Sequence, residues 1–209
     1  AGNGEVHIFS RLDNEPQFSE NFSCSFTDCP SSDKAIDIDS LMRGAAVKDI
    51  DAVYSLARNV DIMHTGLMKP KGKLYEADGY VMTEMSMDYK GDEHYSFLAN
   101  PVFLDSSTLV PSVLRMKRAG MNTEDLLNIK PGIPFFIQSL NLYRKFSEKC
   151  FVYVRNTDLD DGSSDDIQYA DIIIANSDGS IAAQFKRLTL KTIRSRELIE
   201  TGSTRNQHK

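Results

Sequence analysis

The β-rich C-terminal third constrains this chain most. Ile133 to Tyr143, Cys150 to Asn156, Ile167 to Ala175 and Ser180 to Thr192 are dense in β-branched and aromatic residues. Such side chains suit a pleated, half-buried surface. Asn176-Ser177-Asp178-Gly179 joins the last two segments, and Asp-Gly is a strong hairpin-turn signal. Strands joined so tightly pair antiparallel. A sheet with an apolar face must be covered by another layer. Ser106 to Met116 can provide one: Leu109, Val113 and Met116 fall on one stripe at helical spacing. Pro111 lies in the first turn or two, where its missing amide is best tolerated.

Upstream, Val6 to Ser10 and Phe18 to Phe26 read as a hairpin with a turn around Asp13 to Pro16. A polar stretch, Asp28 to Asp33, marks a boundary. Ile38 to Asn59 reads as mostly helical in two pieces, with Asp39 and Ser40 as caps. Gly72 to Ala77 and Gly79 to Asp88 read as paired strands. Val81, Thr83 and Met85 share one face of the second, and Met82, Glu84 and Ser86 the other. The expected organisation is a hairpin over residues 1–30, a main domain over 31–199 and a polar tail over 200–209. The class is α+β: a mostly antiparallel sheet wrapped around one central apolar helix.

Composition removes several functions. The 209 residues carry a net charge of −6, whereas phosphate-gripping proteins show a basic surplus, so nucleic acid is not the expected partner. No run approaches the ~18 apolar residues that cross a bilayer, and no basic-then-apolar leader opens the chain. The first residue is Ala1 rather than Met, which suggests an excised piece. Cys24, Cys29 and Cys150 form no Cys-x-x-Cys pair; they read as buried thiols in a reducing cytoplasm. The acidic stretch Asp158 to Asp166 fails the calcium-loop spacing, since Gly162 is fifth rather than sixth and Tyr169 replaces the bidentate Glu. No His-x-x-x-His or Glu-x-x-His pair supports a metal site.

Two residues invite chemistry. Asp105 precedes Ser106-Ser107-Thr108 and reads either as a helix N-cap or as a carboxylic acid at the mouth of an apolar channel. Phe103, Leu104 and Leu109 would favour the protonated form there, and a helix N-terminus would oppose it. His64 lies in the turn-rich Met63 to Pro70, as an ordinary loop residue or a functional one. Lys69/Lys71/Lys73 and Lys186/Arg187/Lys191/Arg194/Arg196 read as wet basic faces, one of which could meet an acidic partner.

The order of segments resembles the dehydratase domains of modular polyketide synthases, mainly the C-terminal half of their double hot-dog fold. Asn100-Pro101-Val102-Phe103-Leu104-Asp105 matches that family's His-Pro-x-x-Leu-Asp motif at Pro101, Leu104 and Asp105. His64-Thr65-Gly66 and Gly72-Lys73-Leu74-Tyr75 look like local versions of its Tyr-Gly-Pro turn and Gly-x-x-Tyr strand start. The hairpin Val6 to Phe26 resembles the end of a preceding hot dog.

The resemblance implies a hot-dog fold and water elimination from a β-hydroxyacyl thioester. The substrate would ride on the phosphopantetheine of an acyl carrier protein, with no metal or cofactor of the domain's own. Asp105 would be the general acid, with Asn100, Pro101, His64 and Leu109 along the substrate tunnel. Expected partners are the carrier protein, other polyketide synthase domains, and a second copy or a separate N-terminal half. The family's His-x-x-x-Gly-x-x-x-x-Pro base motif does not occur, since Arg11 stands where His7 would require Gly. Leu109 replaces the Gln/His that would hold the acid. The same scaffold also shifts double bonds, closes rings by conjugate addition, installs branches, or serves as a non-catalytic module for dimerisation or carrier docking.

Overall fold

The computed structural model describes residues 2–13, 16–29, 31–58, 62–87, 97–121, 132–160 and 166–192. The chain divides into two compact units, Ala1–Ser31 and Ser32–Lys209. In the first, β1 (Gly4–Ser10) pairs antiparallel with β2 (Ser19–Phe26). Opposed pairs in a sheet share a face. Val6↔Cys24 and Ile8↔Phe22 therefore make an apolar face, and Glu5↔Ser25 and His7↔Ser23 a polar one. His7 lies between Glu20 and Glu5, its ring nitrogens 3.3 and 3.4 Å from their carboxylates. Cys24 and Cys29 are exposed, contrary to the expected buried thiols; only Cys150 is buried. Burial pushes the Cys150 thiol up to about 12.

The second unit holds α1 (Ile38–Met42), β3 (Ala46–Asp49), α2 (Asp51–Arg58), β4 (Lys71–Ala77), β5 (Tyr80–Ser86), α3 (Pro101–Ser107) and α4 (Val110–Arg118). Then come β6 (Gly132–Leu142), β7 (Lys149–Arg155), β8 (Leu159–Asp160), β9 (Ile167–Asn176) and β10 (Ile181–Thr192). One sheet runs β3-β4-β5-β7-β9-β10-β6, with β8 beside β9. Every neighbouring pair is antiparallel. The alternation along β5 divides as expected. Val81 and Met85 enter the main core with Ile172, Ile174 and Leu188, while Met82 joins a smaller core with Ile38, Tyr75 and Phe151. The helical layer covers the main core, α4 lying on β5 and β7. No helix among the described residues is long and apolar enough to cross a membrane.

Two local expectations change. Ile38 to Asn59 is not two helices alone, because β3 lies between α1 and α2. Gly44, at φ +78°, follows the end of α1, and the next residues are captured as an edge strand by β4, Ala46 opposite Glu76. Partner strands supply that pairing, so it overrides local propensity. The α1 cap is Asp37, whose carboxylate accepts the Ser40 amide at 2.9 Å, rather than Asp39 or Ser40. The central helix also starts earlier, at Pro101, and is split. Pro111 has no amide to donate four residues back. Thr108 and Leu109 instead donate three residues back, to the Asp105 and Ser106 carbonyls at 3.0 and 3.2 Å. These tighter bonds are 3₁₀ geometry and divide α3 from α4.

Candidate active site

Asn100 opens α3 and Pro101 occupies its first turn. The Asn100 side-chain oxygen accepts the Val102 amide at 2.9 Å, satisfying one orphan donor. Asn100 is buried, with 5% of its surface exposed, so the side chain is committed to the helix end. Asn100→Ala is expected to lower stability by about 0.5–2 kcal/mol, read as a lower urea midpoint at unchanged slope. Asp105 is therefore not a cap but a residue of the second turn of α3. Val102, Phe103 and Ser106 turn inward, so helical periodicity turns Asp105 outward. Its side chain is 48% exposed. The expected enclosure of Asp105 among Phe103, Leu104 and Leu109 does not occur. Phe103 is buried in the core, while Leu104 and Leu109 pack against it.

The Asp105 carboxylate is met by a side chain from outside its helix. His64 Nε2 lies 3.1 Å from Asp105 Oδ2. The His64 side chain is only 8% exposed, and Nδ1 is buried without a partner among the described residues. The residues after His64 form a 3₁₀ turn, Gly66–Met68, that contacts α3. Tyr54 of α2 lies behind, its ring centroid 5.3 Å from that of His64. The Tyr54 hydroxyl donates to Ser106 Oγ at 3.1 Å, tying α2 to α3. Burial pushes the Tyr54 hydroxyl up to about 12, against the Ser106 bond.

Beside this group, Asp51 accepts from Arg58 Nη2 at 2.8 Å and from Lys69 Nζ, and the Lys69 ammonium lies 5.7 Å from the Tyr54 ring centroid. The Arg58 bond, then the Lys69 bond, hold the Asp51 carboxyl well below the usual carboxylate range. Its stabilising contribution is present above the ordinary carboxylate value and lost as pH falls through the depressed folded one. These groups are largely solvated, so the effect is small. Asp51→Asn is expected to flatten the acid limb of the stability–pH curve slightly, measured by urea melts, and to leave the neutral region within about 0.5 kcal/mol.

Five residues singled out by sequence thus find definite places. His64 and Asp105 meet; Asn100 caps α3; Pro101 sits exposed in its first turn; Leu109 is partly buried on the core. Tyr54 and Ser106 carried no sequence signal, because only packing joins residues so far apart. The basic face around Lys186 is tied down. Lys186 Nζ donates to Asp171 Oδ2 at 2.6 Å, and the Arg187 guanidinium stacks 3.8 Å from the Tyr169 ring centroid. Arg194, Arg196, His94 and the tail over 200–209 lie outside the described residues.

No protein-family model matches the chain. Among solved structures, an N-terminal dehydratase from the difficidin assembly line superposes with a TM-score of 0.78 at 26% identity, covering 98% of this chain and 71% of that one. The chain has the hot-dog fold of a polyketide synthase dehydratase domain. A monomeric dehydratase domain from a trans AT polyketide synthase split module superposes at 0.74 with 18% identity, over 92% of this chain and 70% of that one. Polyketide synthase PksM of Bacillus subtilis (strain 168) is 22% identical over 149 residues, 71% of this chain. The chain spans only 3% of PksM, so the likeness is to one region of a very long protein. Within this fold the split helix α3–α4 is the central one, and it carries Asp105.

Proposed function

We propose that this dehydratase-fold domain eliminates water from a β-hydroxyacyl thioester carried on the phosphopantetheine of an acyl carrier protein, with Asp105 as general acid. One observation carries the reading: the outward carboxyl of Asp105 on the central helix, held from behind by His64 at 3.1 Å. In the reaction a base takes the hydrogen on the carbon next to the thioester. That C–H electron pair becomes the carbon–carbon double bond. The C–O bond breaks, and the departing oxygen takes a proton from Asp105 and leaves as water. The Oδ2 side of Asp105 is engaged by His64, so Oδ1 is the oxygen free to face substrate. His64 is occupied with Asp105, so the reading assigns the base to a companion half.

The test loads a carrier protein with a β-hydroxyacyl chain, adds the domain with its neighbouring synthase domains, and follows loss of one water by intact-protein mass spectrometry. Formation of the enoyl product supports the reading. Movement of a double bond in a carrier-bound enoyl chain, with no water lost from the hydroxyacyl chain, would replace it with isomerisation. Carrier binding without any change in the acyl chain would leave a docking module.

A further inference from the structure

We infer that His64 is the positioning residue of Asp105, doing from a loop what a polar residue one turn along the helix would otherwise do. The inference deepens the proposed function and rests on Asp105 being the acid. Residues four apart on a helix face each other, and the one four beyond Asp105 is Leu109, which packs on the core and has nothing to donate. The carboxyl would swing freely on an exposed helix face without another partner. His64 Nε2 supplies it at 3.1 Å across 41 positions of sequence.

The burial of the two side chains is unequal, at 8% exposed for His64 and 48% for Asp105. The imidazole is fixed from several sides. The Tyr54 ring lies against it, and the Ile62 amide ties the incoming segment to the end of α2 through the Ala57 carbonyl at 3.0 Å. The contacting turn Gly66–Met68 secures the outgoing side. A fixed donor behind an exposed acceptor sets one carboxyl oxygen and leaves the other for substrate. Holding a reacting group in one orientation is worth orders of magnitude in rate.

The nitrogen left over assigns the tautomer. Nδ1 is buried and has no partner among the described residues. A hydrogen there would be an orphaned buried donor, which is costly. The hydrogen therefore sits on Nε2 and donates to Asp105 Oδ2. The same unpartnered Nδ1 argues against a relay, because among the described residues no group on that side could pass a proton to the ring. His64 orients; it does not conduct.

The test reads the ring directly and needs no turnover. With four histidines in the chain, a long-range proton–nitrogen spectrum of the imidazoles is sparse enough to assign by single His→Gln variants. His64 is expected to show the Nε2–H tautomer, and Asp105→Ala, an exposed change that leaves the fold intact, is expected to shift its Nε2 signal. An Nδ1–H tautomer, or ring signals indifferent to Asp105→Ala, overturns the inference.

Kinetics on carrier-bound β-hydroxyacyl substrate supply the second arm. His64→Leu is expected to lower kcat about 10²-fold with little change in KM, and His64→Gln, whose amide places an N–H near the former Nε2, to recover most of it. Equal losses in the two variants, or a loss confined to KM, count against positioning. Failure of the acid assignment looks different: Asp105→Asn would turn over normally while the His64 spectrum still reports the pair.

Discussion

Asp105→Asn is expected to cut turnover of a carrier-bound β-hydroxyacyl thioester by about 10²–10⁴-fold, the usual contribution of a positioned general acid. The amide has the carboxyl's size and shape, and the site is half exposed, so folding stability should move by no more than about 0.5 kcal/mol. The loss is then chemical rather than structural. An amide still accepts a hydrogen bond from His64 Nε2 through its oxygen, so the geometry survives; what disappears is a group able to hand over a proton. The measurement is the rate of water loss followed by mass spectrometry, beside a thermal melt of the same sample. Unchanged turnover in a folded variant removes the acid role from Asp105 and with it the elimination mechanism. A large loss accompanied by a matching loss of stability would instead make Asp105 structural.

The largest expected effect on stability lies two residues earlier. Phe103→Ala is expected to destabilise the second unit by about 3–5 kcal/mol, the range for truncating a buried aromatic residue. Phe103 is 1% exposed and sits in the main core with Leu114, Val152 and Ile174. Removing its ring takes away the transfer free energy and leaves a cavity that the flanking strands cannot close, since a β-sheet held by ladders on both sides relaxes little. A domain of this size loses about 2–4 °C of Tm per kcal/mol, so the drop is easily resolved by calorimetry or by urea midpoint. Leu98→Ala is the control: Leu98 is 54% exposed and should change stability little. The two substitutions costing the same would mean that α3 is not seated in the core as described. Because Phe103 and Asp105 share one helix, the Phe103 variant should also loosen the acid, and its activity should fall further than its folded fraction does.

The strands of the C-terminal third were legible because their signals are local and periodic. Ile133 to Tyr143, Cys150 to Asn156, Ile167 to Ala175 and Ser180 to Thr192 became β6, β7, β9 and β10 with ends shifted by a residue or so. Asp178-Gly179 makes the expected turn, with Gly179 at φ +82°. The two faces of β5 were equally readable, since alternation is a property of the strand itself. β3 was not, because Ala46 to Asp49 has no strong preference and is a strand only while β4 is beside it. The start of the central helix was misplaced for a related reason. Asp105-Ser106-Ser107-Thr108 looks like a cap in sequence, but Asn100 caps a turn and a half earlier and Pro101 fits the first turn.

Sequence alone determined the periodicities, and through them an antiparallel sheet, its apolar covering helix and a carboxyl near the start of that helix, because each depends on residues within a few positions of one another. Tertiary structure alone decided how that carboxyl is used. Whether Asp105 faces water or core depends on the phase at which α3 begins, and its partner His64 is set by how the segment after α2 lies against α3. Contacts across such separations are fixed by the packing of whole elements, which no local pattern of residues encodes.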